Sequence, residues 1–547
     1  MVGRERILFV TSNGTGLGHL TRSLAIARRL GPDTEPLFFT LSQAASVVRE
    51  LGFAVEYMAS HGSPGAGNDW RWSRRLGPRL RAAIAEAEPR ALVFDGILPY
   101  DPLLATMRAV PLTVWCRRSL WRPGASAVPL TRSDRFDAVL EPGEFAASED
   151  RGPTSEWRCG VREVAPIVFS DDEELLPRVE AERELGLEPG LTNVLVQLGQ
   201  GPEVGRAQAR CLGALAGRKG VQVAAMSSAI ATVGDVPDGI IHLHATFPMS
   251  RYYAAFDAAV SAAGYNAFHE LIRFGVPSVF VPMVRETDDQ AARARYAESS
   301  GVGLAAAGPD DPELERRLDL ILDPDRRRGM RKRLGELRPE NGAADAARWL
   351  EELVGLGSGG RRGDRPGRPS RVVPTHVSAQ SASRPGGHPR ARRATVDPRS
   401  HPRARRALAW FASVPDTLAR LGRQVVSMPR PRTLVLALGV EGEALGRGVN
   451  AALEETPDPP ERVLVVTDSL TIAPLRRAGL AVEHVPAAGE RQPALAGGDY
   501  AAFLRRRLGL VLAQRPRLDR ALAVGDVPAD LLTAATARPR RRARLLR

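Results

Sequence analysis

The first thirty residues contain a short apolar run, a glycine-rich loop and an alanine- and leucine-rich stretch, in that order. The apolar run covers residues 7–10, the loop covers 11–22 and the third stretch covers 23–30. A continuous apolar run is typical of a buried parallel strand, and glycines allow the backbone to turn sharply and approach a ligand closely. This order predicts a strand, a loop and a helix of a doubly wound α/β protein, with the first helix amides facing an anion.

His19 lies in the first turn predicted for this helix, and it is the only side chain of the loop that titrates near neutral pH. A histidine at such a position either takes up a proton during catalysis or caps and packs its own helix. A second candidate, Asp95, ends the predicted strand 91–94, where it either assists His19 or caps the next turn. The loop alone leaves these alternatives open, because glycine turns follow the first strand in many α/β folds.

The length of 547 residues exceeds what one hydrophobic core holds, so several domains are expected. Short apolar runs alternate with helical stretches over residues 7–160 and 191–356, which favours two parallel, doubly wound sheets. A third, smaller α/β stretch follows, in which residues 516–523 are predicted to be helical. The predicted organisation is two Rossmann-like domains facing a cleft at 1–165 and 166–357, a disordered linker at 358–431, a small α/β domain at 432–530 and a basic tail at 531–547.

The net charge of +13 is concentrated outside the predicted domains. Residues 361–406 hold 13 arginines and two acids, and residues 538–547 hold six arginines and no acid. Together they carry more positive charge than the whole chain, so the folded domains are slightly acidic and nucleic acid is the least favoured partner. The basic linker is either a solvated spacer or a segment attracted to anionic lipid headgroups.

The three cysteines are far apart and fit neither a disulfide framework nor a zinc site, which indicates reduced thiols in a cytoplasmic protein. No signal peptide precedes the first strand, and no apolar run approaches the roughly 20 residues of a membrane span. The expected location is the cytoplasm, with the basic linker as a candidate for peripheral attachment at the inner face of the membrane.

A second glycine turn, at Gly199, follows the first strand of the second unit. Further along, a strand leads through Gly264 into a helix that begins near Asn266 and carries Glu270. Amides at that helix start can hold a phosphate, and a carboxylate one turn later can accept hydrogen bonds from a ribose diol. The next strand end brings an acid and an amide to the same pocket, namely Asp289 and Gln290.

Together, these motifs resemble the GT-B-fold glycosyltransferases that use nucleotide sugars, in particular the group of the lipid-linked peptidoglycan N-acetylglucosaminyltransferase and the glucuronosyl and antibiotic glycosyltransferases. The resemblance covers residues 6–356. It implies transfer of a sugar from a nucleotide-diphosphate donor, with uridine the expected nucleoside, to a cell-surface glycan, a glycolipid or a lipid-linked acceptor. It also implies that no cofactor and no metal are needed, since the nucleotide sugar is a substrate and loop amides stabilise its leaving diphosphate.

The resemblance further implies a role for each motif. His19 would be the general base, and Gly16 and Gly18 would keep the loop close to the diphosphate and the acceptor. The implied donor contacts are Gly199 and Gln200 near the phosphates, Phe247 and Pro248 at the uracil edge, Gly264, Tyr265 and Asn266 around the diphosphate, Glu270 at the ribose, and Asp289 and Gln290 at the sugar. Acetamidosugar enzymes of this group carry two adjacent glutamines where this chain has Gln290-Ala291, so the identity of the donor sugar stays open.

Single displacement with inversion at the anomeric carbon is the expected mechanism. Two other functions stay open: a nucleotide-sugar 2-epimerase of the same fold, and a non-catalytic nucleotide-sugar-binding protein. Structural alternatives also exist, with Glu270 as an exposed helical acid and Gln290 as a surface side chain. His244 and His269 are assigned to packing or to the rim of the pocket, and Trp70 and Trp72 either contact the acceptor or pack the neighbouring loop.

Overall fold

The structure is a computed structural model, and it describes residues 4–12, 17–61, 69–199, 203–227, 239–244, 246–337, 340–358, 431–487, 500–513 and 518–536. Gly16, Gln200, residues 359–430 of the predicted linker and residues 537–547 of the predicted tail lie outside these residues, as do the side chains of Trp70 and His244. The predicted boundary between the third domain and the tail, after residue 530, falls inside a helix that runs from Ala529 to Thr536. Within the described ranges, no helix is both long and apolar enough to cross a membrane.

The first unit is a seven-stranded parallel sheet flanked by helices. Its strands are β1 (Glu5–Thr11), β2 (Thr34–Thr40), β3 (Ala54–Tyr57), β4 (Ala91–Asp95), β5 (Leu112–Cys116), β6 (Ala138–Pro142) and β7 (Val161–Val164), and its helices are α1 (Gly18–Ala27), α2 (Ala45–Glu50), α3 (Asp69–Ala87) and α4 (Asp101–Thr106). The strand order is β3-β2-β1-β4-β5-β6-β7. Because β1 and β4 are neighbours, with Thr11 paired to Asp95, residues that follow these two strands meet at one edge of the sheet.

The second unit is a six-stranded parallel sheet. Its elements are α5 (Arg178–Leu185), β8 (Thr192–Gln197), α6 (Val204–Leu215), β9 (Val221–Ser227), β10 (Ile240–His244), β11 (Ala258–Ser261), α7 (Tyr265–Arg273), β12 (Ser278–Phe280), α8 (Gln290–Ser299), β13 (Gly303–Ala305), α9 (Leu314–Leu322), α10 (Pro324–Leu337) and α11 (Ala343–Ser358). The strand order is β10-β9-β8-β11-β12-β13. Both expected Rossmann-like sheets are thus present, and the predicted fold class is confirmed.

The last helix of the second unit, α11, returns to the first unit. Its apolar face packs with α1 into the core of the first sheet, through Ala343, Ala346, Ala347, Leu350 and Val354. The two segments that connect the units also bind each other: the Gly342 amide donates to the Pro166 carbonyl at 3.0 Å. The Asn341 side chain bonds both backbone groups of Val168, at 3.2 and 3.1 Å.

The third unit is a four-stranded parallel sheet, made of β14 (Thr433–Leu438), α12 (Gly442–Glu454), β15 (Val463–Thr467), α13 (Ala473–Arg477), β16 (Ala481–His484), α14 (Tyr500–Leu512), β17 (Arg520–Gly525) and α15 (Ala529–Thr536). The strand order is β16-β15-β14-β17. The helix predicted over residues 516–523 is wrong, because residues 520–525 form β17 beside β14. Parallel pairing satisfies their backbone groups and overrides the helix preference of the two alanines.

Candidate active site

The predicted base and the predicted strand-end acid are in direct contact. His19 lies in the first turn of α1 and Asp95 ends β4, and His19 Nδ1 is 2.5 Å from Asp95 Oδ1. Arg22, one turn further along α1, donates to both Asp95 oxygens, at 2.6 Å from Nη2 and 3.2 Å from Nε. All three side chains are buried. Of the two possibilities left open for Asp95, the geometry shows pairing with His19.

The charges of this cluster favour a neutral imidazole on an ionised carboxylate. Burial lowers the pKa of His19, against the opposing effect of the Asp95 charge. Burial alone would raise the pKa of Asp95, but Arg22 and then His19 hold it below its usual range. Nδ1 of His19 lies 2.5 Å from Asp95 Oδ1, which accepts, and 2.9 Å from Arg22 Nη2, which donates. In the tautomer in which Nδ1 donates to Asp95, Nε2 keeps a free lone pair. Such a ring is prepared to accept a proton through Nε2.

The N-termini of α1 and α7 face each other across the two units. Asn266, in the first turn of α7, donates from Nδ2 to the Gly18 carbonyl at 3.4 Å. Gly264 is the N-cap residue of α7. It lies close to Gln290: a Cβ atom added to Gly264 would be 3.7 Å from Gln290 Nε2. Two helix N-termini directed at one place favour an anion between them.

Asn266 has one unused polar atom at this place. Its Oδ1 is buried and has no hydrogen-bond partner among the described residues. An unpaired buried acceptor costs free energy unless a ligand or water donates to it. Among the residues predicted to surround the diphosphate, Asn266 therefore has a free acceptor, Oδ1, for a hydroxyl of the nucleotide sugar.

Tyr265 lies deeper than its predicted role requires. Its hydroxyl donates to the Gly143 carbonyl at 2.9 Å and accepts from the Ile167 amide at 3.1 Å. Its ring is surrounded by the guanidinium groups of Arg22, Arg118 and Arg293, 5.2 to 5.9 Å from the ring centre. The side chain joins the two units, so only the backbone of Tyr265 is placed to meet a diphosphate.

Glu270 is buried one turn into α7, not an exposed acid. Its carboxyl group bonds the Phe169 amide and the Tyr253 hydroxyl, and burial raises its pKa to about 7. Gln197, at the end of β8, donates to the Tyr253 hydroxyl at 3.1 Å. This chain of contacts joins Glu270 to the second glycine turn, where Gly199 has a φ of 78°. The Phe247 ring is tilted against the ring of Phe169, whose amide bonds this carboxyl group, and the two ring centres are 4.8 Å apart.

Asp289 and Gln290 are both engaged inside the protein. Asp289 caps α8, accepting from the Ala292 amide at 3.0 Å. Gln290 is buried; its Oε1 accepts from the Met283 amide at 2.9 Å and its Nε2 donates to Asp288 at 3.3 Å. Gln290 is thus no surface side chain, and its position beside Gly264 leaves it at the wall of the predicted donor pocket.

A buried network between the two units was not predicted from the sequence. Asp288 accepts from Arg118 of the first unit and from Arg293 of the second, both at 2.8 Å. Arg293 also donates to Glu144 of the first unit at 2.8 Å, and His269 is 3.0 Å from the same carboxylate. Burial alone would raise the pKa of Asp288 and of Glu144, but the arginines hold both low, that of Glu144 at about 2.

Three further side chains have structural positions that can be compared with the sequence analysis. His269 packs between the units, with Nδ1 2.7 Å from the Tyr265 carbonyl, as its assignment to packing expected. Trp72 donates from Nε1 to the Ala59 carbonyl at 2.8 Å and packs the edge of the loop down. The only sequence signal for Arg118 was its position just after β5, at the same sheet edge as His19 and Asp95.

Comparison with known proteins gives consistent matches. Residues 235–333 match the model of the glycosyltransferase family 28 C-terminal domain. The chain is 31% identical over 386 residues to the UDP-N-acetylglucosamine–N-acetylmuramyl-(pentapeptide) pyrophosphoryl-undecaprenol N-acetylglucosamine transferase of a Nocardioides species, covering 64% of this chain and 99% of the relative. A protein of the same name from Clavibacter michiganensis is 32% identical over 125 residues, which is 22% of this chain and 32% of that relative.

Among solved structures, the glycotransferase of kitacinnamycin aligns over 64% of this chain and 99% of its own, with 18% identity and a TM-score of 0.46. The two Rossmann-like units with the site between them define a GT-B nucleotide-sugar glycosyltransferase. The chain belongs to the glycosyltransferase family of the Nocardioides relative, and the predicted resemblance and enzyme class are confirmed.

Proposed function

We propose that the protein is an inverting, metal-independent glycosyltransferase that moves a sugar from a uridine-diphosphate donor to a lipid-linked acceptor or another cell-surface glycan. The observation that carries this proposal is the buried His19–Asp95 pair at the N-terminus of α1, facing the N-terminus of α7. One side offers a base and the other a place for a diphosphate. The relatives' names support uridine and a lipid-linked acceptor.

In the proposed reaction, Nε2 of His19 removes the proton from an acceptor hydroxyl as that oxygen attacks the anomeric carbon. The bond from this carbon to the diphosphate oxygen breaks, and the nucleoside diphosphate leaves with the electron pair. Attack opposite the leaving group inverts the anomeric configuration. Asp95 stabilises the imidazolium that forms, and Arg22 holds Asp95 in place.

The leaving diphosphate gains negative charge, which must be stabilised as the bond breaks. We propose that the first-turn amides of α7, from Gly264 to Asn266, and those of α1 after Gly18 provide this stabilisation. Gly199 and Gln200 of the second glycine turn complete the phosphate contacts in this proposal. The same rate with and without EDTA is the expected result, and a loss that added magnesium restores would contradict metal independence.

For the donor, we propose that Phe247 and Pro248 meet the uracil, that Glu270 holds the ribose, and that Asp289 and Gln290 contact the sugar. The contact of Phe247 with Phe169, whose amide bonds Glu270, and the position of Gln290 beside Gly264 support this assignment. UDP-N-acetylglucosamine is the first donor to test because the names of both relatives contain it.

The raised pKa of Glu270 predicts how donor affinity depends on pH. Ribose hydroxyls donate to a carboxylate, so binding favours the ionised form, which is populated only above a pKa of about 7. Affinity for the nucleotide sugar should therefore rise with pH and be about tenfold weaker at pH 6 than at pH 8. Glu270→Gln should bind weakly and without this pH dependence. Titration calorimetry at three pH values checks this, and a pH-independent wild-type affinity would contradict it.

The acceptor side and the cellular location remain part of the proposal. A lipid-linked acceptor would keep the enzyme at the inner face of the membrane, and the arginines of residues 361–406 would contact anionic headgroups there. Flotation with anionic liposomes tests this, comparing the full chain with a chain lacking residues 361–406. Equal flotation of both would refute a role for the linker, whereas loss of flotation on removal supports it.

One assay separates transfer from the alternatives. The protein is incubated with UDP-N-acetylglucosamine, with and without a lipid-linked disaccharide–pentapeptide acceptor, and products are followed by mass spectrometry. A transferase forms a glycosylated lipid and UDP only when acceptor is present. An epimerase forms a new sugar from the donor alone, and a binding protein leaves the donor intact under both conditions, so either result would overturn the proposal.

A further inference from the structure

The third unit has the topology of the first half of the first unit. Its strand order, β16-β15-β14-β17, matches β3-β2-β1-β4 element by element, and all strands are parallel in both. In each case a helix connects the first strand to the second, a shorter helix connects the second to the third, and a long helix follows the third. Many α/β proteins share such a topology, so the match needs support at the level of residues.

Over residues 40–58, the residue-level match is a constant offset of 427 positions. The sequence Gly-Phe-Ala-Val-Glu at 52–56 recurs as Gly-Leu-Ala-Val-Glu at 479–483. Thr40, Ser42 and Arg49 likewise recur as Thr467, Ser469 and Arg476. The glycine of each segment adopts a left-handed conformation, with φ of 82° at Gly52 and 78° at Gly479.

The hydrogen bonds repeat with the same offset. The Ser42 amide donates to Thr40 Oγ1 at 3.0 Å, and the Ser469 amide donates to Thr467 Oγ1 at 3.0 Å. The backbone bond from residue 53 to residue 48 is 3.1 Å, and the one from 480 to 475 is 3.2 Å. The bond from 58 to 40 is 3.0 Å, and the one from 485 to 467 is 2.9 Å. A shared topology alone does not impose such side-chain details, so the two segments are copies of one unit.

The two copies contact each other reciprocally. In α3 and in α14 an arginine precedes the second of two buried leucines one turn apart, which makes Arg79 and Arg507 equivalent. Arg79 lies 3.5 Å from Glu483 of the other copy, and Arg507 lies 2.8 Å from Glu56, the equivalent of Glu483. A contact of i with j together with j with i is the signature of an isologous, two-fold interface.

The axis of this arrangement passes near Tyr57. The Tyr57 amide donates to Nδ1 of His484 at 3.4 Å, and His484 is the residue equivalent to Tyr57. Only residues close to a two-fold axis contact their own equivalents. The face formed by β3 and α3 therefore complements a second face of the same kind.

The third unit lacks the catalytic pair of the first. Thr11 and Ala437 are equivalent because they pair with the equivalent residues Thr40 and Thr467. Asp95, which pairs with Thr11, therefore corresponds to Val524, which pairs with Ala437. No histidine occurs in α12. The amide of the glycine turn after β14, at Gly439, is bonded by the Asp468 carboxylate at 2.9 Å, which occupies the place of an anion. The second copy thus keeps the contact face and not the chemistry.

We infer that the third unit is a second copy of the first half of the first unit, and that it occupies the self-complementary face through which two copies of the chain would otherwise pair. This inference is independent of the proposed function. The surface that fits the face of β3 and α3 is a second face of the same kind. Within the chain, β16 and α14 of the third unit provide it.

Cross-linking of introduced cysteines tests this, because a residue near the axis meets its equivalent; the two native cysteines that remain, Cys116 and Cys211, are buried. In a Cys159→Ser background, which removes the exposed thiol, Tyr57→Cys combined with His484→Cys should cross-link within one chain on treatment with dibromobimane. Tyr57→Cys alone should give no cross-linked dimer, since the third unit covers the position. Cross-links between chains in the double variant would overturn docking within the chain.

Displacing the third unit should then expose the face. Arg507→Glu places a carboxylate against Glu56 and Glu86, and it should make dimers cross-linked through Tyr57→Cys appear at a yield at least tenfold above the detection limit. Arg447→Glu, on the exposed side of the third unit, is the matched control and should give none. Arg49→Glu, which acts at the half-exposed pair with Glu441, is a milder variant should Arg507→Glu not fold. Light scattering measures the mass of Arg507→Glu and of Arg49→Glu in chains that keep Tyr57, where the mass of a dimer is expected. If both variants fold and both have the mass of a monomer, the inference is wrong.

Discussion

His19→Ala should lower the turnover of the nucleotide sugar by about 10² to 10⁴-fold while donor affinity stays the same, because the variant removes the base from the acceptor side. The proposed base is held by Asp95 at 2.5 Å on the first unit, whereas the side chains proposed to hold the donor belong to the second unit. Initial rates under saturating donor, together with calorimetric donor binding, measure the two quantities separately.

His242→Ala is the matched control for this experiment. His242 lies on β10, at the edge of the second sheet, and its replacement should change turnover little. Asp95→Asn keeps the shape of the pair but loses the charge that stabilises the imidazolium, so it should also lower turnover. If His19→Ala retained wild-type turnover, the assignment of the base would be wrong, and if it lost donor binding, His19 would belong to the donor site.

Arg293→Met should lower the free energy of unfolding by about 3–5 kcal/mol, since it leaves two buried carboxylates without their shared partner. Arg293 donates to Asp288 and to Glu144, each at 2.8 Å, and is fully buried between the two units. Denaturant unfolding followed by tryptophan fluorescence measures the change.

Arg316→Met provides the comparison at a solvent-exposed arginine. The Arg316 side chain of α9 is 75% exposed and pairs with Glu313, the N-cap residue of that helix. Such a pair contributes about 0–1 kcal/mol, so the variant should unfold close to wild type. An equal effect at the two positions would show that the network between the units contributes no special stability.

The local elements of the fold were predictable because they depend on nearby residues. The apolar run before His19 and the glycine before Asn266 place a strand, a turn and a helix in order, and that order holds in both units. Parallel strands bring their carboxyl ends to one edge of the sheet, so contact of Asp95 with His19 was one of the two roles predicted for Asp95. The prediction of a helix at 516–523 failed since the neighbouring strand decides that segment.

The network between the units was not predictable in the same way. Glu144 and Arg293 are 149 positions apart, and no periodicity in either segment connects them. The depth of Tyr265 follows from this network, because three arginines surround its ring. The repeat of residues 52–56 at 479–483, by contrast, is visible in the sequence alone. It shows that an internal self-comparison carries information that motif reading does not.

The connection of α11 to the first unit constrains how a donor and an acceptor can enter. Two chain segments run between the units, and they are joined side by side through Gly342 with Pro166 and Asn341 with Val168. Because the two connecting segments are joined at one place, we expect any opening between the units to be a rotation about that place and not a slide of one unit along the other. The His19–Asp95 pair and the residues proposed to bind the donor would then return to the same register after each opening.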